Sequence, residues 1–240
     1  MAIEMDDAIL EKRFAAESAA GLVKNGMVIG LGSRSTAEIA IQIIGEKVKD
    51  GLQIIAVPTS HESEEIARDL GIPLSTLADH PELDLTIDGA DEVEAGSLDL
   101  IKGRGGALLR EKIVASSSRR LIIVVDESKM VNRLGSHGEV PVEIVPFAWQ
   151  STARRLERLG WKPVLRLGPQ RVPYVTDGGH YIVDCSFDKD ISLQSRAAGL
   201  HDTVGVVEHG MFLNMATEVH VGSSTGVRIL RKTQKERGTG

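Results

Sequence analysis

The sequence predicts an α/β protein in which a parallel sheet flanked by helices is interrupted, before its last strands, by a smaller α+β domain. Three observations predict it. Short apolar runs alternate with helix-length segments through Val125, glycines and small polar residues follow the ends of those runs, and the alternation gives way after Lys129 to a strand-rich region. The expected division is residues 1–130 with 204–240 for the larger domain and 131–203 for the smaller. A chain of 240 residues suits one domain with a smaller companion.

Taken in order, Asp6 or Asp7 can cap a first helix running through Val23, with Phe14, Ala15, Ala19 and Leu22 on its apolar face and Asn25-Gly26 at its end. Lys12 lies on this helix, where spacing alone makes it a solvated surface lysine. Met27 to Leu31 reads as a strand. Gly32-Ser33-Arg34-Ser35-Thr36 then turns it into a helix, with a capping box expected from Ser35 to Glu38. Free backbone N–H groups at a helix start, with the Ser33, Ser35 and Thr36 hydroxyls, suit an anion such as phosphate, although a well-capped helix needs no ligand. The loop lacks the G-K-[ST] of a Walker loop and the third glycine of a dinucleotide fingerprint. Gln53 to Val57 and Leu85 to Ile87 are the next strands, separated by a helix that ends near Gly71. In a parallel sheet ligands sit beyond the carboxyl ends of the strands, so the Gly32 loop, Thr59-Ser60 and the segment from Asp88 to Asp91 share one rim.

The densest chemistry runs from Asp84 to Ala115. It holds a carboxylate group (Asp88, Asp91, Glu92), a lysine opening a glycine-rich loop (Lys102-Gly103-Arg104-Gly105-Gly106), and Glu111 on a helix from Ala107 to Ser116. Carboxylates move protons, an ammonium steadies an oxyanion, and free N–H groups hold phosphate, which together suggest proton transfer on a small phosphorylated substrate. Glu111 shares a helix face with Ala107, Leu108, Val114 and Ala115, a setting that desolvates a carboxylate and strengthens it as a base. The competing reading pairs it with Arg110 or Lys112 on a solvated face. Leu121 to Val125 is the most apolar strand, and Lys129 in the D-E-S-K that follows joins the rim.

Beyond it, Val140 to Val145 reads as a strand, Pro146 to Leu159 as a helix flanked by Trp149 and Trp161, Val164 to Leu167 as a strand, and residues 173–187 as a strand pair turning at Asp177-Gly178-Gly179. Val204 to Val207 and Glu218 to Val221 are expected to rejoin the first sheet. A formal charge of -6 gives no support to nucleic-acid binding, and the lone Cys185 excludes an intrachain disulfide and a cysteine-rich zinc site. None of the seven histidines shows metal-ligand spacing, and His209 reads as a histidine holding a backbone group. Without a signal peptide or an apolar stretch of membrane-spanning length, the expected location is the cytoplasm, with no membrane partner.

G-L-G-S-R-S-T-A, D-G-A-D-E, K-G-R-G-G-A-L-L-R-E-K-I-V-A and V-D-E-S-K, in this order and spacing, resemble ribose-5-phosphate isomerase type A. The resemblance continues more weakly through T-D-G-G-H-Y-I-V-D-C and G-V-V-E-H-G-M-F. It implies a Rossmann-like domain with a small ferredoxin-like domain, and interconversion of ribose 5-phosphate and ribulose 5-phosphate without metal or organic cofactor, in a homodimer or homotetramer. By motif, Glu111 matches the base that moves a proton between C2 and C1 through an enediolate. Asp88, Asp91 and Lys102 match groups that bind the sugar, assist ring opening and stabilise oxygen charge. Ser33, Ser35, Thr36 and Lys129 match substrate and phosphate contacts, with Lys12 a further phosphate lysine, and the same loops add Arg34, Gly89, Ala90, Gly103, Arg104 and Gly105. Arg34 stands where the family's loop usually has glycine, and the expectation is a negative φ there with the guanidinium on the phosphate. A phosphosugar sensor and an isomerase of another phosphosugar are the alternatives. Sensors resembling this fold carry a helix-turn-helix ahead of it, for which the first helix, expected to run straight into the first strand, leaves no room, and a sensor has no use for Glu111 and Lys102.

Overall fold

The computed structural model describes residues 7–188 and 193–232. The chain opens with α1 (Asp7–Ala20), β1 (Val28–Leu31), α2 (Ser35–Lys49), β2 (Ile55–Pro58), α3 (His61–Asp69) and β3 (Leu85–Asp88). It continues through β4 (Glu92–Glu94), β5 (Leu100–Ile101), α4 (Leu108–Ser116), β6 (Leu121–Asp126) and β7 (Met130–Val131). Then come β8 (Val140–Ile144), α5 (Trp149–Arg158), β9 (Trp161–Leu165), β10 (Tyr181–Phe187), α6 (Leu193–His201), β11 (Val206–His209), β12 (Met211–Phe212), β13 (Glu218–Ser223) and β14 (Gly226–Arg231). Asp6, one of the two candidate caps of α1, lies outside the described residues.

Six strands form the main sheet in the order β14-β13-β6-β3-β1-β2, parallel throughout except for β14, which returns antiparallel on β13. Strands covered on both faces read as continuous apolar runs, and all six residues of β6 are buried. Ala15, Ala16, Ala19 and Ala20 give α1 a smooth face that lies close on the sheet. Contact is close enough that a Cβ on Gly222 would meet the Glu11 carbonyl oxygen at 1.8 Å. From β1 the chain goes to β2 on one side and returns to β3 on the other, so strand order reverses between β1 and β3. That crevice is where an open α/β sheet takes its ligand.

The second sheet has the order β11-β8-β10-β9 and is antiparallel, which with α5 and α6 makes a β-α-β-β-α-β unit of the ferredoxin-like kind. Here the sequence expectations need two corrections. The segment from Val204 does not rejoin the first sheet, because β11 pairs with β8 through a bulge between Val206 and Glu208, and the return comes only at Glu218. Nor do residues 173–187 form a strand pair: β10 takes both edges from β8 and β9, leaving a single bridge between Val175 and Tyr181. Helix α6 and β14 are additions that the sequence pattern does not predict. A third, small sheet of two- and three-residue strands has the order β12-β5-β4-β7, and its β5 runs directly into the glycine-rich loop.

Candidate active site

At the carboxyl end of β1 the backbone of Gly32 donates to the Ile87 carbonyl at 2.9 Å. A Cβ there would lie 2.3 Å from Asp88 Oδ1, so only glycine lets the two strand ends come together. Asp88 is fully buried, and its Oδ1 accepts from the backbone N–H groups of Ser33 at 3.2 Å and Gly89 at 2.8 Å. The other oxygen, Oδ2, faces Lys102 Nζ at 3.0 Å.

Lys102 is the hub. It follows β5, which fixes its backbone through a bond to Gly210, and its ammonium donates to the Gly89 carbonyl at 2.6 Å while lying 3.2 Å from Glu111 Oε2. Ser33 Oγ donates to the other Glu111 oxygen at 2.5 Å. Glu111 therefore faces the crevice and is only 4% exposed, which rules out the solvated pairing with Arg110 or Lys112. Those neighbours look elsewhere: Arg110 lies 3.7 Å from Asp177, and Lys112 donates to Glu208 at 2.7 Å. Burial pushes the Asp88 carboxyl up to about 7, with Lys102 opposing the rise and Glu111 adding to it. For Lys102, burial works against the charge, but the Asp88 and Glu111 carboxylates outweigh it and hold the ammonium above the ordinary lysine value.

A cavity of about 100 Å³ opens over this triad. Glu111, Lys102 and Asp91 line it, together with Ser33, Ser35, Thr36 and Lys129 from the α2 loop and the segment after β6. Gly89, Ala90, Gly103 and Gly105 supply backbone walls. Lys12 lies outside the lining, yet it is half-buried and donates to Ser35 Oγ at 3.2 Å, so it is tied to the α2 loop rather than to open surface. Asp91 accepts from the backbone N–H of Arg104 at 2.9 Å. The Arg104 side chain turns away to the His137 carbonyl, at 3.0 Å, and brings only its backbone to the site. Glu92, read together with Asp88 and Asp91, also points away. Successive strand residues face opposite sides, and its carboxylate accepts from the N–H groups of Gly135, Ser136 and His137.

The α2 loop departs from expectation. Ser35 is the first helical residue and makes no capping box, because the cap position falls on Arg34, whose carbonyl accepts from the Glu38 N–H at 2.8 Å. Arg34 has φ 72° and ψ 173°, a conformation that favours glycine, so the expected negative φ is corrected. Its guanidinium donates to the Gly105 carbonyl and lies 3.7 Å from Glu62, bridging the α2 loop to the glycine-rich loop and to α3. Beyond it a second cavity of about 60 Å³ shares Ser33, Arg34 and Gly105 and adds Ser60, Tyr174 and Asp177. Thr59, expected on the rim, is wholly buried. Tyr174 and Asp177 come from the smaller domain. Asp177 is read from the sequence only as a turn residue, and nothing local in the sequence marks Tyr174.

Folding does bring one metal-like group together: ligand atoms of His201, Glu208 and His209 lie within 4.8 Å of one another. The Lys112 ammonium already occupies that space, 2.7 Å from Glu208, 3.5 Å from His209 Nδ1 and 2.6 Å from the His209 carbonyl. Burial, with Lys112 beside it, brings His209 down to about 3, and Nδ1 accepts from the Met211 N–H, the backbone-holding role read from the sequence.

Residues 55–226 match the family model for ribose 5-phosphate isomerase A (phosphoriboisomerase A). The chain is similar to ribose-5-phosphate isomerase A of Synechococcus sp. (strain JA-3-3Ab), 52% identical over 92% of this chain and 97% of that one. It is 47% identical to the probable ribose-5-phosphate isomerase 2 of Arabidopsis thaliana, over 92% of this chain and 86% of the plant protein. Among solved structures, ribose 5-phosphate isomerase A from Methanocaldococcus jannaschii superposes with a TM-score of 0.87 at 40% identity, covering 92% of this chain and 98% of its own. A D-ribose-5-phosphate isomerase in complex with phospho-erythronic acid superposes with a TM-score of 0.90 at 37% identity, covering 95% and 100%. With the fold, the strand-order reversal and the buried Asp88–Lys102–Glu111 triad, these likenesses establish that the chain belongs to the ribose 5-phosphate isomerase A family.

Proposed function

We propose that Glu111 is the base of the aldose-ketose isomerisation by which this enzyme, as a member of its family, interconverts ribose 5-phosphate and ribulose 5-phosphate. One observation supports the assignment above all others: Glu111 is buried against Lys102 and Ser33 in the lining of a small polar cavity. In the open-chain sugar, Glu111 takes the proton from C2, an enediolate forms across C1 and C2, the O2 hydroxyl proton passes to O1, and the same carboxyl delivers its proton to C1 as the C2 carbonyl forms. Charge appears on the sugar oxygens only as the enediolate forms, and the Lys102 ammonium is the preorganised partner for it. Asp88 holds that ammonium in place from behind. Asp91, on the cavity wall, accepts from the sugar hydroxyls and assists ring opening.

The phosphate is assigned to the Ser35 and Thr36 hydroxyls, the start of α2, Lys12 and Lys129. The phosphorylated four-carbon acid held by a structural relative has the charge pattern this arrangement suits, a phosphate at one end and an oxyanion at the other. No helix among the described residues is long and apolar enough to cross a membrane. We place the enzyme in the cytoplasm as a homodimer or homotetramer, as the family resemblance implies. A coupled assay on ribose 5-phosphate with chelator present, run beside other aldose phosphates, tests the activity. Turnover of ribose 5-phosphate at the highest kcat/KM supports it, and binding without turnover would move the assignment to a sensor.

A further inference from the structure

We propose that Arg166, on the smaller domain, is a positioning residue for catalysis, aiming the Gly105 backbone N–H at the substrate oxygen on which charge develops. The idea rests on the isomerase reading above. Arg166 follows β9, and its side chain is 15% exposed. Its Nε donates to Asp184 Oδ2 at 2.9 Å and its Nη2 to Asp184 Oδ1, a two-pronged pairing that fixes the guanidinium plane. The remaining end of the fork reaches across to the larger domain. There Nη1 donates to two consecutive carbonyls of the glycine-rich loop, Gly103 at 2.9 Å and Arg104 at 3.0 Å.

A trans peptide is planar, so drawing a carbonyl to one side sends the following N–H to the other. The loop shows this for the first of the two peptides. With the Gly103 carbonyl on Arg166, the Arg104 N–H points into the site and donates to Asp91 at 2.9 Å. The same geometry at the next peptide turns the Gly105 N–H inward, where Gly105 lines the reactive cavity beside Lys102 and Glu111. Among the described residues that N–H has no acceptor, whereas the Gly106 N–H closes a turn onto Gly103 at 3.0 Å. A half-buried donor with no protein partner, held by a bidentate arginine and facing a cavity that must stabilise an enediolate, has the attributes of an oxyanion donor. Arg166 thereby makes the smaller domain a contributor to the reaction's electrostatics rather than a spectator.

The test compares Arg166→Gln, Arg166→Lys and Asp184→Asn with the wild-type protein in steady-state turnover of ribose 5-phosphate, alongside inhibition by phospho-erythronic acid and thermal unfolding. Wild-type turnover comes first, and its absence would remove the isomerase reading rather than this one. The expected result is a fall in kcat of about 10- to 100-fold for Arg166→Gln with KM changed less than about threefold, and a matching weakening of the inhibitor. Asp184→Asn, which leaves the arginine but loosens its plane, should fall between Arg166→Gln and wild type, and Arg166→Lys should recover part of the loss. If Arg166→Gln is too unstable to assay, Asp184→Asn and Arg166→Lys carry the comparison. A kcat within twofold of wild type in a folded variant, or a rise in KM at constant kcat, would overturn the proposal.

Discussion

Replacing Lys102 by methionine removes one charge from the most tightly coupled part of the molecule, and its consequences can be worked from two distances. The ammonium lies 3.0 Å from Asp88 and 3.2 Å from Glu111, each contact worth roughly 5 kcal/mol of Coulomb attraction at an effective dielectric constant of about 20. Most of that is offset by the cost of burying the charges, so breaking the group is expected to cost about 3–5 kcal/mol of stability near neutral pH. Without the ammonium that opposes its rise, the Asp88 carboxyl would be pushed up further. A carboxyl whose native value is raised contributes stability that is full below its unfolded value and is lost as pH rises through the native one, so the deficit should be smaller near pH 5 than near pH 8. In catalysis the loss is that of an oxyanion partner, and kcat should fall by about 10²–10³-fold with a smaller change in KM. Urea unfolding at the two pH values and steady-state kinetics on ribose 5-phosphate measure both effects. A normal kcat with a raised KM would make Lys102 a phosphate anchor, and a deficit independent of pH would show that the three groups are not coupled.

Two further outcomes follow from particular residues. Asp88, pushed up to about 7 by burial, draws protons into the native state between its unfolded value near 4 and pH 7, so wild-type stability should decline with rising pH across that window. Asp88→Asn should flatten the decline in melts recorded at several pH values, and an unchanged slope would show that this carboxyl titrates normally. Arg34 holds φ 72° and ψ 173°, a strain of about 1–3 kcal/mol for a residue other than glycine. Arg34→Gly should raise stability by about 1 kcal/mol in urea unfolding, after the lost Gly105 and Glu62 contacts and the greater freedom of the unfolded glycine chain. A loss of similar size would mean that the side-chain contacts outweigh the backbone strain.

What the sequence made legible follows from which interactions are local. The β1 to α2 turn, the rim position of Asp88 and Asp91, and the burial of Glu111 on α4 all rest on short-range periodicity and loop chemistry, and the structure brings them together. Glu92 adjoins Asp91 in sequence but not in the site, because neighbours in extended chain face opposite sides. The conformation of Arg34 has one signal, the glycine usual at this place in the family's loop, while arginine itself favours the negative φ expected of it. The small third sheet is built of strands too short to show any period. The reach of Arg166 to the glycine-rich loop spans more than sixty residues and two domains, and only the folded arrangement discloses it.

The central claim, that a buried glutamate moves the carbon-bound proton, meets its most direct test in Glu111→Gln assayed on ribose 5-phosphate. Glutamine keeps the size of the side chain and one oxygen for the Ser33 hydroxyl, so the fold and the phosphate end should persist. The account predicts a kcat reduced by at least about 10²-fold with KM nearly unchanged. A folded variant that turns over at close to the wild-type rate would contradict it and remove Glu111 from the chemistry.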